Sequence, residues 1–530
     1  MPAATESINF GLLLDGKWKD DGERIEILSP GTRQRVGLTY RATSADAEAA
    51  IRAATRAFEV TRKMGGFERQ RILRAISAGI EKNSEELARL VALEAGKPIK
   101  TARVEVDRAV FTFSVAAEEA VRVGGEYLPL DWQASTAGRW GIVRRFALGP
   151  IAAITPFNFP INLVAHKLAP AIAAGCTIVL KPAPQTPLTS LRLAQIIEQA
   201  GWPAGALNVL PLSNDDAGIL VSDDRLKLLS FTGSTAVGWA LKQKARKKKV
   251  VLELGGNAGV VICADANMEY AADRCVLGGF GYAGQSCISV QRILVEESAY
   301  DKFLGALVAR LQKLKLGNVL DESTDLGPLI SEDAANRVIA WIEEAVRGGA
   351  KIVCGGHRNG AMITPTVLTN TKPDMRVNCM EIFGPVVTVE KFSDYDESLS
   401  ALNRTDFGLQ AGVFTRDLKR ITKAFETLEV GGLMIGEVPT FRIDHMPYGG
   451  AKDSGLGREG LRYAIEEMTE PRLLALNPAG LSTTLCISSI FQLRLWLPSH
   501  NLFITESDHR VHPRSSSRRN PARQRTGYHQ

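Results

Sequence analysis

The sequence predicts an α/β fold in which helices cover both faces of a parallel sheet. Between residues 150 and 254, short apolar runs alternate with segments whose apolar residues recur at helical spacing. A second alternating stretch occupies residues 255–440. Because parallel strands need long crossover connections, this alternation is typical of a parallel sheet with helices packed on it. The chain has 530 residues, 45% of them hydrophobic, which is enough for two or three domains.

The predicted elements follow in chain order. Helical spacing predicts helices at 45–58, 68–93 and 101–121, and residues 126–150 are predicted to form a two-stranded ribbon. The next elements are strands at 151–155, 177–180, 207–210, 227–231 and 250–254, with helices at 161–174 and 188–200 between them. Further helices are predicted at 301–314, 332–347 and 418–428. Ligands bind outside the carboxyl ends of such strands, so the turns that follow them are the candidate sites.

Composition excludes several classes of protein. No signal peptide is expected at residues 1–10, and no apolar run is long enough to span a bilayer. The seven cysteines match neither a disulfide framework nor paired zinc sites, so we expect no metal and a reducing, cytoplasmic location. The net charge of +6 is concentrated in residues 477–530, which hold seven arginines, no lysine and two acidic residues. The nearly neutral body shows no electrostatic footprint for nucleic acid.

Two predicted strand ends carry groups that suit a dinucleotide. The segment 231–238 has Gly233 and Gly238 on either side of the start of a predicted helix, whose free N–H groups would suit a pyrophosphate. Its spacing departs from the usual glycine fingerprint, and a plain glycine turn with an N-cap is the alternative. Lys181 follows another strand, where it would meet a ribose or a phosphate. On its own, the same lysine could equally be a solvated surface residue.

Three further residues suggest acyl chemistry. Asn158 lies between Pro156 and Pro160, a stiff segment that could hold its amide as a donor to an oxyanion, or simply form an Asx turn. Glu253 lies between leucines, where burial would raise its pKa and suit it as a base, unless backbone N–H groups satisfy it. Cys287 lies in a loop of small residues and could be a nucleophile or a buried structural cysteine.

Taken together, these motifs resemble those of the aldehyde dehydrogenase superfamily. The family patterns PFNFP, KPA, FTGS, ELGG, GQxC, EIFGP and PYGG all occur in the family's order, and the resemblance covers residues 10–476. It implies a Rossmann-type parallel-sheet cofactor domain, an α/β catalytic domain and a small β oligomerisation ribbon. The implied division is a dinucleotide-binding domain at 1–125 and 149–254, oligomerisation segments at 126–148 and 455–476, a catalytic domain at 255–454, and a basic, disordered tail at 477–530.

The resemblance also implies a role for each matching residue. Cys287 matches the nucleophile, Glu253 the general base and Asn158 the side-chain donor of the oxyanion hole. The residues that match cofactor contacts are Thr155, Lys181, Gly233, Ser234, Gly238, Glu381 and Phe383. The implied reaction passes through a thiohemiacetal and a thioester on the cysteine and reduces NAD or NADP. Family members that transfer the acyl group to coenzyme A often lack the base, so its presence favours hydrolysis to a carboxylic acid.

Departures from the family pattern bear on specificity. Pro184 stands where members that prefer NAD often carry a glutamate, so we expect NADP to be accepted, alongside NAD. Arg108 and Arg442 match positions that face the substrate tunnel, and they would suit an anionic aldehyde or a semialdehyde. The alternative is that either arginine is a structural ion-pair partner.

Three questions stay open at this point. The resemblance implies a homodimer or homotetramer. A catalytically silent structural or binding protein remains the alternative function, because Asn257-Ala258-Gly259 departs from the usual family sequence. The basic tail could be an extension without function, or it could tether the chain to nucleic acid or membrane.

Overall fold

A computed structural model describes residues 8–480 of the chain. These residues form two compact units, one of residues 8–127 and 142–474 and one of residues 128–141 and 475–480. No helix within residues 8–480 is both long and apolar enough to cross a membrane. The predicted basic tail lies almost entirely beyond residue 480, outside the described residues.

The first large sheet contains the five predicted parallel strands, which confirms the fold class. In chain order they are β1 (Ile151–Ile154), β2 (Ile178–Lys181), β3 (Leu207–Val209), β4 (Leu228–Thr232) and β5 (Lys249–Glu253). Their order across the sheet is β5-β4-β1-β2-β3. The order in which strands are added to the sheet therefore reverses between β1 and β4. The crevice beyond the carboxyl ends of these two parallel strands is the expected ligand site.

This sheet is mixed rather than purely parallel. Leu12–Leu14 pairs antiparallel to β3, Lys17–Lys19 pairs with Leu12–Leu14, and Gly455–Leu456 pairs antiparallel to β5. The sequence did not predict these three strands, because segments of two or three residues are too short to show an alternating pattern. They cover both edges of the parallel core, which would otherwise expose unpaired backbone groups.

Alternation along each strand divides the core in two. Ile151 and Ala153 of β1 belong to one hydrophobic cluster, whereas Ala152 and Ile154 belong to another. Successive side chains of a strand point to opposite faces, so the sheet is buried on both sides, as predicted. The helices in the N-terminal half of the described chain are α1 (Ser44–Thr61), α2 (Gly66–Lys82), α3 (Ser84–Ala95), α4 (Ile99–Glu119), α5 (Asn162–Ala174), α6 (Pro187–Gln199), α7 (Gly218–Ser222) and α8 (Thr235–Lys244).

The single helix predicted at 68–93 is wrong, because the chain forms α2 and α3 there. Asn83 separates them with a backbone conformation of φ −107° and ψ 20°, outside the helical region. Its side-chain amide donates to the carbonyl of Gly79 at 2.7 Å. Asparagine competes in this way with regular helical hydrogen bonds, and the apolar spacing on either side does not reveal the break.

The second large sheet lies in the C-terminal half of the described chain. Its six parallel strands are β6 (Ala258–Ile262), β7 (Val290–Glu296), β8 (Thr366–Thr369), β9 (Val386–Phe392), β10 (Gln410–Phe414) and β11 (Gly432–Ile435). They lie in the order β8-β9-β7-β6-β10-β11, with Lys351–Cys354 antiparallel to β8. The helices of this half are α9 (Met268–Phe280), α10 (Tyr300–Leu311), α11 (Glu332–Arg347), α12 (Arg376–Cys379), α13 (Tyr395–Asn403), α14 (Leu418–Thr427) and α15 (Leu461–Glu467).

The remaining strands form small sheets. Residues 126–150 contain two strands, as predicted, but the sheet has a third strand from much later in the chain, in the order Thr469–Leu476, Trp140–Ala147, Glu126–Pro129. A separate three-stranded sheet contains Ile8–Asn9, Arg35–Tyr40 and Arg24–Leu28. Two short antiparallel pairs are Arg358–Asn359 with Met362–Ile363 and Phe407–Gly408 with Ala451–Lys452.

Candidate active site

A cavity of about 530 Å³ lies beyond the carboxyl ends of β1 and β4. Its wall includes the segments that follow these two strands, the end of β5 and the loop after α9. The predicted site residues that line it are Arg108, Asn158, Gly233, Ser234, Glu253, Cys287, Glu381, Phe383 and Arg442. The fold thus brings together residues from seven separate stretches of sequence. Thr155, Lys181 and Gly238 do not line this cavity.

Cys287 faces the cavity from the loop that follows α9. The hydroxyl oxygen of Tyr448 lies 3.0 Å from its Sγ. Burial raises the pKa of the Cys287 thiol to about 12, whereas the hydrogen bond to Tyr448 favours the thiolate. The backbone N–H of Cys287 has no hydrogen-bond partner among residues 8–480, so it is available to a ligand.

Asn158 presents an amide to the same cavity. Its Nδ2 donates one hydrogen bond to the carbonyl of Gln285 at 3.1 Å. An amide nitrogen carries two hydrogens, so one N–H remains for a ligand. The acceptor Gln285 lies two residues before Cys287, and the side-chain amide of Asn158 is therefore held beside the cysteine loop. A side-chain donor and a backbone donor in one cavity wall are the components of an oxyanion hole.

Glu253 ends β5 and is 3% exposed. Neither of its carboxyl oxygens has a hydrogen-bond partner within the described residues. Burial and the neighbouring Glu459 carboxylate raise its pKa well above the usual value, while Arg442 and Lys167 oppose that rise. A Cβ built on Gly449 would lie 3.0 Å from Oε1, which places the carboxyl group against the PYGG segment. A buried, unpaired acid of this kind suits a general base.

The two glycines after Glu253 are required by close packing. A Cβ on Gly255 would lie 2.4 Å from a carboxyl oxygen of Glu381, and one on Gly256 would lie 2.2 Å from the carbonyl oxygen of Cys287. Neither approach is possible for a residue with a side chain. The Gly-Gly turn therefore lets the Glu381 carboxyl group and the Cys287 backbone pack closely against the end of β5.

Lys181 lies outside the cavity wall, at the end of β2 next to β1. Its side chain is largely buried, and its ammonium group has no hydrogen bond or ion pair within the described residues. Desolvation lowers the pKa of Lys181 to about 8. A buried, unpaired cation is costly unless a ligand satisfies it. A ribose or a phosphate at the carboxyl edge of the sheet would do so.

The remaining predicted cofactor residues lie around that edge. Gly233 and Ser234 follow β4, and Ser234 caps the N-terminus of α8. Gly238 lies inside α8, where a Cβ would lie 2.3 Å from the side chain of Leu254, so this glycine serves helix–strand packing. Thr155 follows β1, and its backbone N–H donates to the carbonyl of Lys181 at 3.2 Å. Free hydroxyl oxygens on Thr232 and Thr235 also lie buried there without partners.

Glu381 and Phe383 line the cavity from the C-terminal half of the described chain. Glu381 accepts a hydrogen bond from the backbone N–H of Gly256 at 3.1 Å, and desolvation raises its pKa to about 7. Phe383 has a left-handed backbone conformation with φ 50°, and its ring packs edge-to-face with that of Phe157 at 6.0 Å. A left-handed conformation is strained for a phenylalanine, and such strain is concentrated at functional sites.

Both predicted substrate arginines line the cavity, and both are ion-paired. Arg108 makes two hydrogen bonds to Asp444, at 2.6 and 3.1 Å, and its side chain is 26% exposed. Arg442 is almost fully buried, donates to Glu459 at 3.0 Å and lies 3.6 Å over the ring of Tyr448. Its Nε has no partner within the described residues. Each arginine therefore has an acid partner, and each keeps N–H groups that this acid does not occupy.

Comparison with known proteins agrees with this geometry. Residues 18–474 match the aldehyde dehydrogenase family. The chain belongs to this family. It is 43% identical over 478 residues to the 3-sulfolactaldehyde dehydrogenase of Priestia aryabhattai, an alignment that covers 90% of this chain and 100% of the relative. The enzyme is accordingly an NAD(P)-dependent oxidoreductase that oxidises an aldehyde, and the catalytically silent alternative finds no support.

Solved structures of aldehyde dehydrogenases share its fold. Aldehyde dehydrogenase 21 from Physcomitrella patens, in complex with the reaction product succinate, matches with a TM-score of 0.88 and 44% identity, covering 90% of this chain and 100% of that one. The glyceraldehyde-3-phosphate dehydrogenase of Methanocaldococcus jannaschii, complexed with NADP, matches with a TM-score of 0.83 and 39% identity, covering 86% and 99%.

Several residues of the site were not assigned a role from the sequence. Tyr448 was quoted only as part of PYGG, although its hydroxyl contacts the cysteine. Lys167 and Glu459 form a buried ion pair at 3.4 Å whose charges act on Glu253. A lysine within the apolar helix at 162–174 was a visible signal, since a charge in a buried helix needs a partner. Glu459 carried no signal, because nothing local distinguishes it from a surface acid.

Proposed function

We propose that Cys287 is the nucleophile, that Asn158 Nδ2 and the Cys287 backbone N–H form the oxyanion hole, and that Glu253 is the general base. The observation that carries this assignment is that one cavity is lined by all three side chains. The free donors on Asn158 and Cys287 and the unpaired carboxyl of Glu253 support it. Within residues 8–480, each group keeps hydrogen-bonding capacity that no protein partner uses, as expected for groups that act on a ligand.

The reaction then follows from these positions. The Cys287 thiol passes its proton to solvent, and the sulfur bonds to the aldehyde carbon. This step leaves an oxyanion that the two donors stabilise while the adduct is tetrahedral. When bound, NAD(P)+ supplies the acceptor for the hydride that the tetrahedral carbon gives up. Glu253 takes a proton from water, the resulting hydroxide attacks the thioester carbon, and the carbon–sulfur bond breaks. Release of the carboxylic acid restores Cys287.

The structure has groups that fit the cofactor. Lys181 would hold a ribose hydroxyl or a 2′-phosphate, since its ammonium is buried without a partner in the described residues. Gly233 and Ser234 would face the pyrophosphate at the N-terminus of α8. Glu381 would accept a hydrogen bond from the ribose that carries the nicotinamide. Pro184 is exposed and carries no charge that would repel a 2′-phosphate. We propose that NADP is used, alongside NAD.

We further propose a short aldehyde with an anionic group as the substrate. Arg108 and Arg442 both line the cavity and retain N–H donors beyond those bound to Asp444 and Glu459. Asp444 also bonds to Asn162 and His166, which hold its carboxylate in place beside Arg108. The names of relatives support the choice of charge, since one oxidises 3-sulfolactaldehyde and another was solved with succinate. A carboxylate or a sulfonate would suit these donors.

The assembly and location remain proposals as well. We propose a homodimer or homotetramer that acts in the cytoplasm. In the described residues all six cysteines are free, which suits a reducing compartment. Sedimentation velocity would determine the oligomeric state, and a monomer would contradict the first proposal.

The decisive experiment measures absorbance at 340 nm with a panel of anionic and neutral aldehydes and with both NAD and NADP. Wild type should reduce the cofactor, fastest with a short anionic aldehyde, and Cys287→Ala should not. Binding of NADP, followed by fluorescence, should survive the substitution. Reduction that persists in Cys287→Ala would refute the assignment of the nucleophile.

A further inference from the structure

A fully buried ion pair lies behind the oxyanion-hole segment. Lys97 follows α3, Glu105 lies on α4, and their side chains are 0% and 1% exposed. Neither residue lines the cavity. Burying two charges costs several kcal/mol, so a pair of this kind is weak evidence for stability alone. The reason for its presence lies in what else the two side chains contact.

The pair holds the segment that carries Asn158 at several points. Lys97 Nζ donates to the backbone carbonyl of Asn158 at 2.8 Å and lies 3.8 Å from the centre of the Phe159 ring. Glu105 accepts from the backbone N–H groups of Ile161 and Asn162, at 3.0 and 3.2 Å. The contacts fall on both sides of Pro160, so they fix the position and the direction of the Asn158 backbone.

Lys97 also contacts the segment that carries the nucleophile. Its Nζ lies 4.3 Å from the centre of the Tyr282 ring. The Tyr282 hydroxyl donates to the carbonyl of Ala95 at 2.6 Å, and Tyr282 has a left-handed backbone conformation with φ 50°. Gln285, three residues later, accepts the hydrogen bond from Asn158. One ammonium group therefore lies between the two segments that supply the two oxyanion donors.

We propose that Lys97, paired with Glu105, is a positioning residue that sets the separation of the Asn158 amide and the Cys287 backbone N–H. The inference rests on the proposed oxyanion hole. An ammonium group has three donors, and here they face the Glu105 carboxylate, the Asn158 carbonyl and the two aromatic rings. Without it, the hydrogen bond to Gln285 and the contact between the Phe159 and Tyr282 rings still join the Asn158 segment to the Tyr282 loop.

A double-mutant cycle tests this role. Asn158→Ala should lower kcat by about 100- to 1000-fold, the usual loss for one oxyanion donor. Lys97→Met in the wild-type background should lower kcat by about 10- to 100-fold, the size expected for a small misplacement of a catalytic group. In the Asn158→Ala background the same change should cost less than about threefold, because the hole is already lost. The dissociation constant for NADP should stay unchanged.

A second variant guards against a folding defect. Lys97→Met leaves Glu105 buried without its cation, whereas Lys97→Met combined with Glu105→Gln leaves no lone charge. This double variant should fold, bind NADP and show the same dependence on Asn158. Glu94→Gln is the matched control, since Glu94 is also fully buried on α3 but binds the N-terminus of α6 through Leu188 and Thr189. Its effect on kcat should be below about twofold in both backgrounds.

The outcomes separate the two proposals. Wild-type kcat/KM in Asn158→Ala would refute the oxyanion assignment, and the positioning role with it. If Asn158→Ala causes a large loss and Lys97→Met lowers activity by the same factor in that background as in the wild type, the two effects are independent. That result would overturn the positioning role alone. An effect of Glu94→Gln as large as that of Lys97→Met would show that any buried ionisable residue near the C-terminal end of α3 matters equally, and would also overturn the positioning role.

Discussion

Tyr448 places its hydroxyl oxygen 3.0 Å from the Sγ of Cys287, although 161 positions separate the two residues in sequence. Arg442 lies 3.6 Å over the ring of the same tyrosine. The side chain of Tyr448 therefore contacts both the thiol of Cys287 and the buried guanidinium group of Arg442. In a cavity where burial disfavours a thiolate, this hydroxyl is the direct hydrogen-bond partner of the sulfur.

We expect Tyr448→Phe to slow alkylation of Cys287 by about tenfold, because a hydrogen bond to a charged group contributes about 1.5–3 kcal/mol. Burial raises the pKa of Cys287 to about 12, and removal of the bond should raise the pKa further, so less thiolate is present at any pH below it. The rate with iodoacetamide should rise with pH in both proteins and stay lower in the variant. Tyr395→Phe, whose hydroxyl bonds Arg420 outside the cavity, is the control. Equal rates would contradict a role for Tyr448.

Glu253→Gln should separate the two halves of the reaction. Acylation does not require the base that deprotonates water, so a single-turnover burst of reduced cofactor should remain. Steady-state turnover should fall by about 100-fold or more, in the range of general-base catalysis. Stopped-flow absorbance at 340 nm distinguishes the phases. Glu390→Gln, a part-buried acid held by Thr371, should change neither. Loss of the burst together with turnover would assign Glu253 to an earlier step.

Arg108→Leu should raise KM for an anionic aldehyde by about tenfold relative to a neutral aldehyde of the same length. The guanidinium group keeps donors beyond those bound to Asp444, and its side chain is part-exposed in the cavity. Arg103→Leu, on the same helix but paired with Glu85 and Glu322 on the surface, should leave both KM values unchanged. If Arg108→Leu changes both substrates equally, the arginine only supports the fold.

Pro184→Glu should shift cofactor preference from NADP towards NAD by at least about tenfold, since a carboxylate beside the 2′-phosphate would repel it. Position 184 is exposed and lies three residues after Lys181, so the change should not disturb the core. The ratio of kcat/KM for the two cofactors is the measurement, with Pro184→Gln as the uncharged control. An unchanged ratio would place the 2′-phosphate elsewhere.

Removal of residues 481–530 should leave kcat/KM within about twofold of the full chain. Among residues 8–480, all those that line the cavity lie between 101 and 448, and the family match ends at residue 474. Initial rates at 340 nm would check this, and sedimentation of both forms would control for changed assembly. A large loss of activity would assign the basic tail a role in the enzyme.

The sequence by itself determined the parallel core and the chemistry of its turns. Five strands were visible because each is an apolar run that ends in a motif, and Cys287, Glu253 and Asn158 lie in motifs with an unusual local composition. The break at Asn83 was not visible, because one side chain that bonds Gly79 leaves the apolar spacing on both sides intact. The short edge strands were missed for want of length.

Only the tertiary structure decided which of these residues lie together in one site and which groups they contact. The left-handed turn before Cys287, the glycines that let Glu381 and Cys287 approach β5, and the contact of Tyr448 with the thiol all depend on atoms from distant segments. The sequence left open whether Arg108 and Arg442 are ion-paired, and the structure gives each an acid partner. Lys97 and Glu105 have no local pattern that marks them. Charge pairing and burial are properties of neighbours in space, and a linear sequence records only neighbours along the chain.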